Sequence, residues 1–282
     1  MEKKKVLIFC AGGYGKRVKY ALDEDRYEVV GYLDNNSKKW GASCAGARII
    51  PPTMLLDNEL EYDYIIISLP DYEEEIKQFL IERYGIDAGK ILTYDAFYKG
   101  VCWREEREIE LLMCIEQIKE RNITGSMAEL GVYKGDFSKL FNHYLPNKKL
   151  YLFDTFEGFD TDRDVIWPGE EKRFKDTSVD VVLEKMCNPK NCIVRKGYFP
   201  DTAVGIEDYF CLVSLDADLY EPTIAGLNFF YPRLVPGGYI FVHDFGLWRY
   251  PGVKKAVYEF CNSHHINFVP LPDRCESVII AK

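Results

Sequence analysis

The sequence predicts an α/β protein of two doubly wound domains: a smaller one over residues 1–98, a helical connector over 99–122, and a larger one over 123–282. Three observations carry this. Short, fully apolar strands alternate with helical stretches in the first hundred residues. The same alternation restarts after an amphipathic connector, and the chain closes on two strand-like runs too near each other for a crossover. A length of 282 residues is also long for one hydrophobic core.

In the first segment Lys5–Cys10 is a short β run, and Gly12-Gly13-Tyr14-Gly15 turns into a helix ending near Asp23. Tyr27–Leu33 is a second strand, closing on the turn cluster Asp34-Asn35-Asn36. Tyr64–Leu69 is a continuous apolar strand followed by a charged helix from Asp71 to about Tyr84, and Lys90–Thr93 is a last short strand. Strands without polar alternation imply a parallel sheet covered on both faces.

The connector, Arg104–Glu120, sets Ile109, Leu112, Met113, Ile115 and Ile118 in a stripe against Glu and Lys. Five strand candidates follow: Met127–Leu130, Lys149–Phe153, Ile193–Arg195, Phe210–Leu215 and Tyr239–His243. Asn267–Leu271 and Ser277–Ala281 flank a turn beginning Pro272-Asp273-Arg274, and strands joined so closely pair antiparallel.

Bulk properties narrow the partners. A formal charge of -9 argues against a nucleic-acid binder, which needs basic surface to release counterions, and against an anionic membrane surface. The nine cysteines form no CxxC pair, so neither a zinc ribbon nor a disulfide framework is indicated. A reducing cytoplasm is the expected location. The first apolar run breaks at Gly12-Gly13, too soon for a signal peptide, and no run reaches membrane-span length.

In an open parallel sheet, ligands bind beyond the carboxyl ends of the strands, so the chemistry is expected just after each one. Strand one of the larger domain ends in Glu129-Leu130-Gly131-Val132-Tyr133-Lys134-Gly135-Asp136, whose glycines let the backbone approach a ligand. Strand two ends at Asp154-Thr155-Phe156, an acid where a ribose diol would lie. Strand three leads into Gly197-Tyr198-Phe199-Pro200-Asp201, strand four into Asp216-Ala217-Asp218, and strand five into His243-Asp244. Asp218 ranks below Asp216, because the chain is expected to turn there, which leaves it either a cap for the next helix or a functional acid.

The runs AELGVYKGDFSKL, YLFDTFEGFD, KGYFPDT, SLDADLYEPT and LVPGGYIFVHDF resemble the macrocin O-methyltransferase (TylF/MycF) family from about Arg104 to the C-terminus. The resemblance implies a class I methyltransferase sheet of seven strands with an antiparallel last strand. S-adenosylmethionine would be bound by Glu129, Gly131, Tyr133, Gly135, Asp154, Thr155, Phe156, Asp201 and Asp216. It further implies Mg2+ or another divalent metal on Asp216, His243 and Asp244, with Asp216 or His243 as catalytic base and a sugar or sugar-nucleotide hydroxyl as acceptor. Where the family commonly carries an acidic pair this chain has His243-Asp244, and imidazole suits a softer metal than magnesium. A cation on a hydroxyl lowers its pKa and orients it for attack on the methyl group.

The insert Asp160–Asp176, with Trp167 and Pro168, reads as a lid or a plain surface loop, and Trp248-Arg249-Tyr250 as a candidate acceptor lining. In the first domain Cys10 stands at the first position of a dinucleotide-type turn, with Gly12, Gly13 and Gly15 behind it and Asp34 placed to hold a ribose. NAD, a nucleotide sugar, or a scaffold with dimer contacts in a homo-oligomer remain open there. The competing functions are an NAD-dependent sugar oxidoreductase and a non-catalytic nucleotide-sugar-binding protein.

Overall fold

A computed structural model describes residues 2–57, 60–93, 105–160, 162–164, 166 and 169–282. The chain divides into two compact units, 1–105 and 106–282.

The N-terminal unit contains β1 (Lys4–Phe9), α1 (Gly13–Ala21), β2 (Tyr27–Leu33), β3 (Ser43–Cys44), β4 (Ala47–Ile50), β5 (Tyr64–Ile67), α2 (Glu73–Tyr84) and β6 (Ile91–Leu92). Its sheet has the order β3-β4-β2-β1-β5-β6. Leu7, Phe9, Leu33, Ile65, Ile67 and Leu80 form its core, which is why the strands carry no polar alternation. α2 stops where Gly85 takes φ +65 and its N–H caps the Ile81 and Leu80 carbonyls. The all-parallel expectation is corrected at one edge, where β3 pairs antiparallel with β4. Ala45 and Gly46, both at positive φ, make a two-residue hairpin turn between strands too short to show a period.

The C-terminal unit contains α3 (Glu106–Glu120), β7 (Ser126–Leu130), α4 (Ser138–Tyr144), β8 (Leu150–Asp154), α5 (Val179–Glu184), β9 (Cys192–Lys196), β10 (Phe210–Leu215), α6 (Tyr220–Arg233), β11 (Leu234–Val242), α7 (Pro251–His264), β12 (Val269–Pro270) and β13 (Val278–Ala281). The sheet order is β12-β13-β11-β10-β7-β8-β9. Five strands are parallel, β13 runs antiparallel to β11, and β12 antiparallel to β13. On α7, Val253, Ala256, Val257, Phe260 and Cys261 recur at helical spacing and are buried together. The stripe expected on α3 is corrected: Met113 is exposed, whereas Leu111 and Cys114 are buried with Ile109, Leu112, Ile115 and Ile118. Among the described residues no helix is long and apolar enough to cross a membrane.

Backbone bonds continue the ladder past the strand ends and set the loops edge to edge. Gly131 N–H donates to the Phe153 carbonyl (2.9 Å), Asp216 N–H to Leu130 (2.8 Å), His243 N–H to Leu215 (2.9 Å), and Gly197 N–H to Asp154 (2.9 Å). Gly131, at φ +85, is required here: a Cβ would lie 2.0 Å from the Asp216 carbonyl oxygen.

Candidate active site

Beyond the carboxyl ends of all five parallel strands lies one cavity of about 460 Å³, within the ~300–1,000 Å³ range of small-molecule pockets. Glu129, Gly131, Tyr133, Asp154, Thr155, Asp216, His243 and Asp244 all line it.

Its glycine-loop wall is rigid. Asp154 Oδ2 accepts the Val132 and Tyr133 N–H groups, each at 2.8 Å, and Oδ1 accepts Phe156 N–H at 2.6 Å. One carboxylate thus ties the loop after β7 to the loop after β8, and lone pairs on Oδ1 remain for a ligand hydroxyl. Gly135, at φ +75, is packed rather than facing the cavity: a Cβ would meet Val182 Cγ1 at 2.9 Å. Glu129 is buried, and the Ser138 hydroxyl donates a short hydrogen bond to its Oε2. Burial pushes the Glu129 carboxyl up to about 8, against the Ser138 bond and with help from Asp216.

The opposite wall is a charge cluster. Asp216 Oδ2 accepts from Arg107 Nη1 at 2.9 Å, and Asp216 Oδ1 lies 2.8 Å from His243 Nδ1. The same nitrogen is 3.0 Å from Asp244 Oδ1. These two contacts are close but poorly directed, so His243 Nδ1 lacks a well-formed hydrogen bond. Burial would push Asp216 up, but His243 and Arg107 outweigh it and hold the carboxyl well below the usual range. Burial likewise works against the His243 imidazolium, yet the carboxylates beside it raise its pKa to about 10. Asp218 is pushed well above its ordinary value by burial and then by Asp216 and Asp244. Three carboxyls therefore crowd one corner with too little positive charge, and a divalent cation fits that donor set.

Several expected residues are placed differently. Asp201 faces outward, paired with Arg163 at 2.7 Å, because the turn after β9 directs it away from the cavity. Phe156 is buried and contributes only its N–H, to Asp154. Asp218 joins the cluster instead of capping α6, whose N-cap is Leu219 with no side-chain cap. Trp248 is 80% exposed and does not line the cavity, whereas Tyr250 does. Arg249 pairs with the buried Glu170 at 2.7 Å, and Arg173 bonds the same carboxylate at 2.9 Å. These contacts tie the insert to the loop after β11; Trp167 and Pro168 lie outside the described residues. The lining residues that were not anticipated include two able to take part in the chemistry, Arg107 and Cys275. Arg107 sits four residues before Leu111 on the buried face of α3, its guanidinium 4.0 Å over the Phe137 ring. A cation on an apolar helical face was the available signal.

In the N-terminal unit, Asp34 is buried and its carboxylate is committed internally. It accepts from Ala11 N–H (2.9 Å) and Lys39 Nζ (2.8 Å) on Oδ2 and from Asn36 N–H (2.8 Å) on Oδ1, where, as at Asp154, lone pairs remain. Gly15 is demanded by packing, since a Cβ would lie 2.1 Å from the Cys10 carbonyl oxygen, whereas Gly13 faces open space. Burial pushes Asp34 up, but Lys39 and the two N–H groups outweigh it and lower its pKa. A depressed acid stabilises fully above its unfolded pKa, near 3.9, and the contribution is lost as pH falls through the folded value. Thermal melts should therefore show a gap between wild type and Asp34→Asn at neutral pH that closes below about pH 4.

A model of the macrocin-O-methyltransferase (TylF) family matches residues 103–272, more than half of the chain. The chain belongs to this family. A second family model, C2185-like, N-terminal, matches residues 2–92. Among curated relatives, the macrocin-type unit is similar to demethyldecarbamoylnovobiocin O-methyltransferase of Streptomyces niveus, at 27% identity over 52% of this chain and 62% of that one. It is also similar to 8-demethyl-8-(2,3-dimethoxy-alpha-L-rhamnosyl)-tetracenomycin-C 4'-O-methyltransferase of Streptomyces olivaceus, at 25% identity over 56% of this chain and 66% of that one. The chain thus spans less than two thirds of either relative's length. Among solved structures, the O-methyltransferase NovP shares the fold with a TM-score of 0.51 and 23% identity, covering 60% of this chain and 76% of that one.

Proposed function

We propose that this macrocin-type protein transfers a methyl group from S-adenosylmethionine to a hydroxyl oxygen of a sugar or sugar-bearing small molecule. The observation that carries the reading is the pairing, in one cavity, of a glycine loop locked by Asp154 with the cluster Asp216, Asp218, His243 and Asp244. The donor lies over Gly131–Gly135, with Asp154 and Thr155 at its ribose. His243 and Asp244 would hold a divalent cation beside Asp216, and that cation when bound acidifies an acceptor hydroxyl and fixes its direction. Arg107 keeps Asp216 ionised and oriented, and Asp216 receives the hydroxyl proton. The sugar acceptor proposed here follows the similarity to the rhamnosyl-tetracenomycin 4'-O-methyltransferase.

For the N-terminal unit a bound nucleotide is favoured over a scaffold, supported by the open space at Gly13 in the turn after β1.

Calorimetry with S-adenosylmethionine and with NAD(H), followed by a mass-gain screen of free and nucleotide-linked sugars, tests the assignment. Donor binding and addition of one methyl group, lost on chelation and restored by divalent metal, are expected. Tight NAD(H) binding with no affinity for the methyl donor would overturn it. Asp154→Ala removes both the loop tether and the ribose contact. Donor affinity should fall about 10–100-fold, the equivalent of one or two hydrogen bonds to a charged group; unchanged affinity would move the donor elsewhere.

A further inference from the structure

The turn between β12 and β13 is held with unusual economy of motion. Asp273 is buried, and its carboxylate accepts both the Ser277 N–H and the Ser277 hydroxyl, each at 2.6 Å. The Cys275 carbonyl in turn accepts the N–H of Gly246 at 3.0 Å, which pins the turn against the loop that carries His243 and Asp244. That second loop is itself set, since Asp244 stands at φ +60 with its side chain buried. One ligating atom each from His243, Asp244 and Cys275 consequently lies within 4.8 Å of the other two. Cys275 also lines the cavity.

We propose that Cys275 is a metal ligand, and that His243, Asp244 and Cys275 together bind a zinc-class divalent transition metal in preference to magnesium. The donor chemistry separates the two classes. Magnesium takes hard oxygen ligands in octahedral geometry, whereas imidazole and thiolate favour zinc and its neighbours. Three protein ligands with an open fourth position are the arrangement of zinc sites that act on a substrate oxygen. Ligand atoms within 4.8 Å of one another are near the spacing that one ion needs at the ~2.0–2.3 Å bond lengths of such sites. His243 Nδ1, buried without a well-directed hydrogen bond, is a donor atom ready for this use. Arg107 already occupies Asp216 Oδ2, which makes Asp216 a poorer ligand and leaves it to receive the acceptor proton. On binding, the Cys275 thiol and the His243 imidazolium each give one proton to solvent, and the sulfur and the freed ring nitrogen bond the ion; no oxidant or reductant is involved.

The inference rests on the methyltransferase reading only for the purpose of the ion, and its test needs no methyl donor. The full chain, stripped of metal, is titrated with Co2+ alone. A near-ultraviolet thiolate-to-cobalt charge-transfer band should grow in and saturate at one ion per chain. It should be displaced by Zn2+ and not by excess Mg2+, and be absent from Cys275→Ser. Should the serine variant fail to melt cooperatively, Cys275→Ala and His243→Gln give the same reading. Co2+ binding without the band, or a band that persists in the folded Cys275 variants, would overturn the assignment. Methyl transfer without the band faults this inference alone, and the band without donor binding faults the methyltransferase reading alone.

Discussion

Gly131→Ala is expected to lower the melting temperature of the C-terminal unit by roughly 6–12 °C and to remove donor binding. The added Cβ would lie 2.0 Å from the Asp216 carbonyl oxygen and 2.6 Å from its carbon, at a φ of +85 that L side chains avoid. Neither partner can retreat cheaply. Gly131 N–H is bonded to Phe153 and Asp216 N–H to Leu130, so relief requires opening the ladder between β7, β8 and β10. Backbone strain and overpacking together cost about 3 kcal/mol or more, and a unit of this size loses about 2–4 °C per kcal/mol. Gly205→Ala is the control. Its φ is also positive, at +79, but nothing lies within 4 Å of the added Cβ, so only the left-handed backbone cost of about 1–2 kcal/mol applies. Scanning calorimetry separates the two, and equal shifts would mean that the approach of β7 to the Asp216 loop is not what makes Gly131 necessary.

Asp244→Ala is expected to cut kcat by about 10²–10³-fold, the loss seen when one preorganised electrostatic partner is taken from a transition state, with donor affinity nearly unchanged. Asp244 is buried, faces His243 at 3.0 Å, and belongs to the charged wall rather than to the glycine-loop wall. Its φ of +60 suits Asp and Asn better than Ala, so Asp244→Asn keeps the backbone and removes only the charge. Both variants should fail in turnover alike. Single-turnover methyl transfer measured beside calorimetry with S-adenosylmethionine decides the matter: a parallel collapse of donor binding would place Asp244 at the donor instead.

The glycine-loop wall of the cavity was readable from linear sequence because the chain writes it locally. A glycine turn after β7 and an acid after β8 are each a few residues long, and parallel strands bring such ends to one edge whatever the details. The charged wall was less legible. Asp218 read as either a helix cap or a site acid because strand periodicity stops at Leu215; it enters the cluster only through its own left-handed backbone, φ +59, that no periodicity reveals. Asp201 read as a site residue because it follows β9, and the turn direction sends it to Arg163. Arg107 lies 109 positions from its partner Asp216, in a helix that reads as a connector.

Sequence alone determined the two α/β units, the strand sequence of the larger sheet, the antiparallel close and the family. The units and strands follow from apolar period and turn chemistry, and the family from the resemblance of its motif runs; all are properties of neighbouring residues. Tertiary structure alone decided which charges meet: Arg107 on Asp216, Lys39 on Asp34, Asp218 beside Asp244, and Cys275 beside His243. Those pairings join residues from separate elements at distances of a few ångströms. Coulomb energy and ligand geometry depend on that separation in space, and no spacing along the chain encodes it.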